Sequence, residues 1–516
     1  MTAAAQEAAF GPVRWDWTRP SILLALATVA IHLFVNSGYG FFRDELYFIV
    51  CGNHPAWGYV DQPPIVPLIA ALSHHLFGNF LVGFRWAPML AMTATVALTA
   101  EFARMLGGGR FAQWLAGLCA LGAPVYLAEG LLITTDLLQP LTWLACGWFL
   151  VRLAQRGDER WWIPFGIVVG ISLLSKYMIA FYLLALGAGV LATPLRRSLT
   201  RPWLYVGAAI AFVMVLPNVL WQQQHGWPFL ELGEAATNGK NVALSPLDYF
   251  AQQLLLIGPL AAPVWLSGLW ACAARPRLTA HRIFPIAYVI LFAFFVATHG
   301  KGYYLSPIYP TLLGFGAVAI EGWITSIAAR AAALAAVVLV GAFLSPLAVP
   351  VLPVNTYIAY ARAIGYGPST MAMEHNKIGP LPQVYADMFG WREMAAKVAK
   401  VYWSLPPQDR AKAVFYGNNY GEAAAIDVFG RPLGLPPAIS GHNNYFLWGL
   451  HGHDGSVVIR IGGNRDELLK EFRRVDQAGY IDTPYAMPYE TNQPIYVERD
   501  LLVPLGPAWA SSKHFE

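Results

Sequence analysis

Eleven apolar runs, most of them close to 20 residues long, organise this chain. They fall at about 20–39, 83–105, 111–129, 136–154, 161–175, 177–193, 203–220, 249–270, 283–298, 304–322 and 331–350. A helix needs about 20 mostly apolar residues to cross a bilayer. Within lipid every backbone N–H and C=O must find a partner inside its own segment, so such runs have to be helical. The fifth and sixth are short, which points to tilt, re-entry or a hairpin. The stretch 64–77, "PIVPLIAALSHHLF", is too short and too His-marked to span and is expected to lie on the membrane surface. Composition agrees. The chain is 56% hydrophobic and 12% charged, against about 25% charged in soluble domains. A net charge of +4 is too small to point to a nucleic-acid partner. The four Cys are scattered and make neither a disulfide framework nor a Cys-based metal site. Arg14 and Arg19 precede the first run as in a signal peptide, but "VNSGYGFF" lacks a small-x-small cleavage site, so an uncleaved span is expected.

Lys and Arg mark the cytoplasmic side of a membrane protein. Arg14 and Arg19, Arg104 and Arg110, Arg152, Arg156 and Arg160, Arg196, Arg197 and Arg201, and Arg275, Arg277 and Arg282 all fall on one side if every run spans. Eleven spans then place residues 351–516 outside. The same count puts the 41–64 stretch, Arg85, Asp136, Lys176, the 221–248 loop and "THGKGYY" at the outer face. Ionisable groups near or within a bilayer are costly and usually functional. Snorkelling accounts for any one of them, but poorly for all of them on one face.

The tail is more charged. It is expected to hold strands at 413–418 and 456–463 and helices at 420–430 and 464–475, the last capped by Asn464 with acids in its first turn. That pattern is a small α/β domain, with a boundary near 350.

The outer-face residues imply a chemistry. Asp44 and Glu45 diverge by about 100° on a helix, so they can hold different roles. Asp44 could instead cap a surface helix beginning at Glu45. Asp61 precedes Gln62-Pro63-Pro64, where it suits an N-cap. Asp136 could likewise cap the fourth run. Lys176, Lys301 (beside His299 and Tyr303-Tyr304) and Arg85 are cations suited to a phosphate. Carboxylates facing cations fit a hydroxyl nucleophile with a general base and a phosphate leaving group stabilised as it departs. A nucleotide sugar is not available outside the inner membrane. A lipid-linked donor carries its phosphate at headgroup depth.

The ordered set "FRDELYF", "GYVDQPP", "ITTDLLQ", "LLSKY", "GKGYYLSPIYP", "YGEAAAIDVFG" and "LGLPPAISGHNNYFLWG" resembles the bacterial members of the protein O-mannosyltransferase and aminoarabinose-transferase superfamily, glycosyltransferases of family 39-like type with the GT-C fold. The resemblance covers nearly the whole chain. It implies a polytopic α-helical membrane protein of about 11 transmembrane helices, residues 1–350 with an outer loop at 40–82, followed by an extracytoplasmic α/β domain at 351–516. It implies inverting transfer from a polyprenyl-phosphate-linked sugar to an envelope lipid, glycan or protein at the periplasmic face of the bacterial inner membrane. It implies that Asp44, Glu45 and Asp136 are catalytic. Arg85, Lys176, His299, Lys301 and Tyr303 would meet the donor phosphate, and Arg43, Tyr59, Asp61 and Gln62 would line the substrate pocket. Some relatives hold a divalent metal near this loop, for which Asp61, His54 and His225 are the candidates. Where aminoarabinose transferases have Glu-Lys, this chain has Asp61-Gln62, which counts against aminoarabinose specificity. Two other classes use similar cations. A flippase of lipid-linked sugars should show paired inverted repeats, and none is visible. An O-antigen-type polymerase or ligase should carry its extra mass between spans rather than at the C-terminus.

Overall fold

The computed structural model describes residues 17–235, 242–368 and 374–515; Arg14 lies outside them. The chain forms two compact units. One comprises residues up to Asn36, Arg85–Val215 and Ala243–Val351; the other comprises Ser37–Phe84, Leu216–Val242 and Leu352–Glu516. The segment 40–82 therefore groups with the tail, whereas a cut near 350 keeps it with the helices.

In the first unit each apolar run carries a helix, but eleven unbroken spans are not seen. Among the described residues four helices are long and apolar enough to cross a membrane: Pro202–Gln224, Leu278–Ala297, Gly302–Trp323 and Ile327–Leu347. Counting each of three bent pairs as one span raises the number to 7. The breaks have local causes. Pro124 restarts a helix after Arg110–Leu121, with a 63° bend into Pro124–Leu131, because proline suits only a first turn. Gly258, at φ 95°, ends Pro246–Ile257 ahead of a 113° bend into Ala262–Ala274. Ile179–Ala192 turns by 102° into Pro194–Thr200.

Packing in this unit rests on close helix approach and buried aromatics. A Cβ at Gly316 would run into the Val264 carbonyl, and one at Gly268 into that of Leu312. Helices Ala262–Ala274 and Tyr309–Trp323 thus touch backbone to backbone, the use of small residues typical of membrane bundles. Trp143 on Gln139–Arg156 stacks on Tyr182 of Ile179–Ala192 at 4.1 Å. Glu101 on Trp86–Met105 accepts the Thr18 amide at 3.0 Å and the Thr18 hydroxyl at 2.8 Å, and also bonds Ser21 and Arg104. It fastens the start of Arg19–Val35.

The second unit is built on a four-stranded sheet of β1 (Ala413–Tyr416), β2 (Val457–Ile461), β3 (Phe472–Ile481) and β4 (Gln493–Leu501), in the order β1-β2-β4-β3. β1 and β2 are parallel; the other pairs are antiparallel, with an irregularity between Gln477 and Gly479. Val414, Val458, Leu468, Phe472, Val475 and Tyr496 pack together in its core. Asn464 caps Arg465–Glu471 by accepting the Asp466 amide at 2.9 Å. The expected helix to 475 stops at Glu471, because Phe472 and Val475 are drawn into β3 by pairing with β4. Tyr420–Ala425 is helical and runs into a π-turn at Ile426–Gly430. Arg43–Asn53 and Ile65–Phe77 form a helical pair.

Candidate functional site

Two polar clusters stand out, one in each unit. In the first unit the segment between Pro124–Leu131 and Gln139–Arg156 carries Asp136, and the break between Trp162–Leu173 and Ile179–Ala192 carries Lys176. The Lys176 Nζ donates to both Asp136 oxygens, at 2.8 and 2.7 Å. The same ammonium lies 4.9 Å from the Tyr304 ring centre and 5.5 Å from that of Tyr303. Both tyrosines sit on the 3-10 turn Gly302–Ile308 that follows His299 and Lys301. His299 is at φ 53°, a left-handed conformation that few non-glycine residues adopt. A second acid joins from the broken span. Glu129 accepts the Ser306 hydroxyl at 3.0 Å, while its Oε2 is buried without a hydrogen bond. Tyr126 donates to the Ser306 carbonyl at 2.6 Å. A compact cation is therefore held between carboxylate and aromatic faces, at helix breaks rather than on exposed helix surface. Lys has three donors, so an ammonium in this position can add a phosphate oxygen without leaving Asp136.

In the second unit the cluster centres on Arg43 and Asp44, at the start of Arg43–Asn53. The Tyr420 hydroxyl donates to Asp44 Oδ1 at 2.8 Å. Arg43 lies over the Tyr420 ring at 5.1 Å, donates to the Tyr489 hydroxyl at 2.9 Å, and sits 3.6 Å from Asp44 and 3.8 Å from Asp387. A Cβ at Gly421 would meet the Arg43 side chain, so the glycine after Tyr420 makes room for its stem. Asp387 is fully enclosed, and burial pushes its carboxyl up to about 7, with the Arg43 guanidinium partly offsetting the rise. Burial, together with each other's proximity, also lifts the carboxyls of Glu422 above the usual range; burial lifts that of Glu490. Asn418 and Asn419 bond these two acids at 2.7 and 2.8 Å. Glu45, Glu422 and Glu490 are buried, and the Asp387 side chain is 1% exposed. Asp44, at 29%, is the acid of this cluster that solvent reaches.

Several expected site residues take structural places instead. Glu45 is buried and its Oε2 accepts the Phe42 amide at 2.9 Å, the carboxylate half of a capping box. The helix starts at Arg43, so Asp44 is in its first turn and is not the N-cap. Glu45→Gln keeps an acceptor for that amide. We expect the variant to retain turnover within about 10-fold, well short of the loss of a general base; a single-turnover rate checks it. Asp61 accepts the Tyr47 hydroxyl at 3.1 Å, and Pro64 is the N-cap of Ile65–Phe77. Asp136 is also not a cap, that position being Leu138. Tyr59 and Gln62 are fully buried, and the Tyr59 hydroxyl donates to the Cys51 carbonyl at 2.8 Å, which ties Tyr59 to the end of Arg43–Asn53. Arg85 is buried and donates to the Asn36 carbonyl at 3.0 Å. The metal candidates do not converge. His54 stacks on Trp448 and turns Nδ1 to the Val50 carbonyl; His225 stacks on Trp221 and turns Nδ1 to its carbonyl. Among the described residues no three His, Cys, Asp or Glu gather as a metal would require.

Glu129, Asp387, Tyr420, Glu422, Tyr489 and Glu490 were not singled out from the sequence. Glu129 had a signal, a lone carboxylate in an apolar run. Tyr420 and Glu422 lie in the quoted "YGEAAAIDVFG" motif, which does not by itself assign them a part; Asp387, Tyr489 and Glu490 had no signal, since they reach Arg43 and Asp44 only through the folding of the tail.

Known proteins resemble this chain. Residues 61–221 match the family of dolichyl-phosphate-mannose-protein mannosyltransferases. The lipid A galacturonosyltransferase RgtD of Rhizobium johnstonii is 24% identical over 237 residues, 45% of this chain and 49% of that protein. The chain thus spans about half the length of that curated relative. The structure of ArnT from Cupriavidus metallidurans in the apo state is similar with TM-score 0.61 and 16% identity, covering 92% of this chain and 97% of that one. The same protein bound to undecaprenyl phosphate gives TM-score 0.60 and 15% identity, with the same coverage. The fold of this chain is that of ArnT, and it is a membrane protein.

Proposed function

We propose that the chain, whose fold is that of ArnT, is a GT-C glycosyltransferase that transfers a sugar from a polyprenyl-phosphate donor to a hydroxyl or phosphate of an envelope lipid, glycan or protein, a reading supported by its likeness to mannosyltransferases and to a lipid A galacturonosyltransferase. The observation that carries this reading is Lys176, held by Asp136 over the rings of Tyr303 and Tyr304. A second feature of the same unit supports a lipid donor. An apolar cavity of about 590 Å³ is lined by Leu150, Trp162, Phe165, Val169, Leu204 and Phe212 among others, walls suited to an isoprenoid chain.

The roles follow from the chemistry. An acceptor oxygen attacks the anomeric carbon, the bond from that carbon to the phosphate oxygen breaks, and the configuration inverts in a single displacement. Asp44 takes the acceptor proton. Lys176 meets the charge that develops on the departing polyprenyl phosphate, and Asp136 positions Lys176. Arg43 and Tyr420 hold Asp44. The two assignments are independent and are tested separately. That RgtD is a lipid A galacturonosyltransferase and that ArnT binds undecaprenyl phosphate supports a lipid-linked donor and a lipid acceptor.

A donor competition tests the reading. Polyprenyl-monophosphate sugar should be consumed and unlabelled polyprenyl phosphate should inhibit, whereas the corresponding diphosphate lipid should serve poorly. Preference for the diphosphate would move the chain to the polymerase class. The reading also puts the C-terminus in the periplasm, so a C-terminal fusion should be active with a periplasmic reporter. Activity only with a cytoplasmic reporter would overturn the outward-facing site.

A further inference from the structure

We propose that a polar cavity in the second unit binds an anionic saccharide. The cavity holds about 430 Å³, within the roughly 300–1,000 Å³ of small-ligand sites. Its walls include His54, His74, Arg431, Trp448, His451 and Asp427, none of them given a part in transfer above. The inference therefore stands without the transfer reading.

The lining selects the ligand class. Trp448 stacks with His54 at 4.5 Å and 24° between planes, and Tyr445 braces the Trp448 ring edge-on at 4.9 Å. This makes a flat aromatic wall of the kind on which the C–H face of a pyranose packs. Arg431 anchors its Nη1 on the Leu435 carbonyl at 3.2 Å, which fixes the guanidinium plane while other N–H groups remain for a phosphate or carboxylate, the fork geometry that arginine offers to such groups. The carboxylate in the wall is committed elsewhere. Asp427 accepts the Ala438 amide at 3.0 Å and the Tyr445 hydroxyl at 2.8 Å, one on each oxygen, which occupies the carboxylate with the protein's own donors and leaves Arg431 without an ion pair to it. The histidines are not arranged for a metal: the His54 Nδ1 faces the Val50 carbonyl, and no metal-holding group occurs among the described residues. His451 is held at φ 50°, a strained conformation of a kind that clusters at ligand sites.

Isothermal titration of the full chain in lipid nanodiscs tests this, with glucose 1-phosphate, glucose and inorganic phosphate as probes. Glucose 1-phosphate should bind more tightly than either fragment. Arg431→Ala should weaken it at least about 10-fold, the scale of a charge-assisted contact. Trp448→Ala should weaken glucose 1-phosphate but leave inorganic phosphate unchanged, and Trp448→Phe, which keeps a flat ring, should restore most of the affinity. Equal binding of glucose and glucose 1-phosphate would overturn the proposal. So would unaltered binding in both alanine variants. A lipid headgroup and a soluble sugar phosphate share this chemistry; phosphorylated glycolipid in the discs should compete with the probe, and a failure to compete restricts the site to soluble saccharides. Lys176→Ala should leave this binding intact, so a failure of the transfer reading and a failure of this one are read on separate axes.

Discussion

Asp44→Asn is expected to give a folded, membrane-inserted protein that still binds the lipid donor and turns over at least about 100-fold more slowly, the lower end of what a positioned base contributes. Asparagine keeps the size of the side chain and an oxygen that can still accept the Tyr420 hydroxyl at 2.8 Å. It removes the charge that, in the proposed mechanism, takes the acceptor proton. Because Asp44 is not the N-cap of Arg43–Asn53, loss of a cap offers no competing account of a slow variant. Tyr420→Phe separates positioning from chemistry. It leaves the carboxylate charged but unheld, so it should lower the rate less than Asp44→Asn does and should respond to Asp44→Glu differently from the parent. A near-normal single-turnover rate in Asp44→Asn would remove Asp44 from the mechanism and pass the base to Asp136.

Lys176→Ala should raise the donor concentration needed for half-maximal turnover by roughly 10- to 150-fold, while acceptor dependence changes little. That range corresponds to about 1.5–3 kcal/mol for one hydrogen bond to a charged group. The substitution also strands Asp136, whose two oxygens both take Lys176 protons, and breaking a partly buried pair is destabilising in its own right. Lys176→Gln keeps a donor for Asp136 without the charge. If it inserts and elutes like the parent yet shows the same donor defect, the loss belongs to the phosphate and not to the fold. Lys301→Ala, from the turn that carries Tyr303 and Tyr304, should give a smaller defect of the same kind. Unchanged donor dependence in all three variants would mean that these lysines only support structure.

Much of the helical layout is written in the apolar runs, because period and length are local properties. What the runs do not declare is where they bend. Pro124 reads equally as a kink or a restart, and Gly258 as a tolerated glycine or a chain reversal, until neighbouring helices decide. Lys176 and Asp136 are 40 residues apart, and both announced themselves as charges at the ends of apolar runs. The surroundings of Asp44 were silent for the opposite reason. Tyr420 lies 376 residues away, and Asp387 and Glu490 are ordinary acids in a mixed-polarity tail. Only the closed sheet domain makes them neighbours. Glu45 and Tyr59 show the converse, polar residues beside a functional-looking motif whose hydrogen bonds turn inward to cap a helix or close a loop. His54 and His225 are metal candidates only through the family resemblance, whereas aromatic stacking and backbone carbonyls claim them. Phe472–Val475 went from helix to strand because long-range pairing with β4 outweighs the local pattern.

Covalent transfer and the movement of an intact lipid leave a labelled sugar in different places. Purified protein should be reconstituted into vesicles with a polyprenyl phosphate carrying a radiolabelled sugar and an extract of envelope acceptors, and the label followed by chromatography. Transfer predicts that label leaves the polyprenyl phosphate, appears on an acceptor, and does so at least about 100-fold more slowly with Asp44→Asn. Label that stays on the polyprenyl phosphate while the lipid changes leaflets would contradict it and make the chain a transporter.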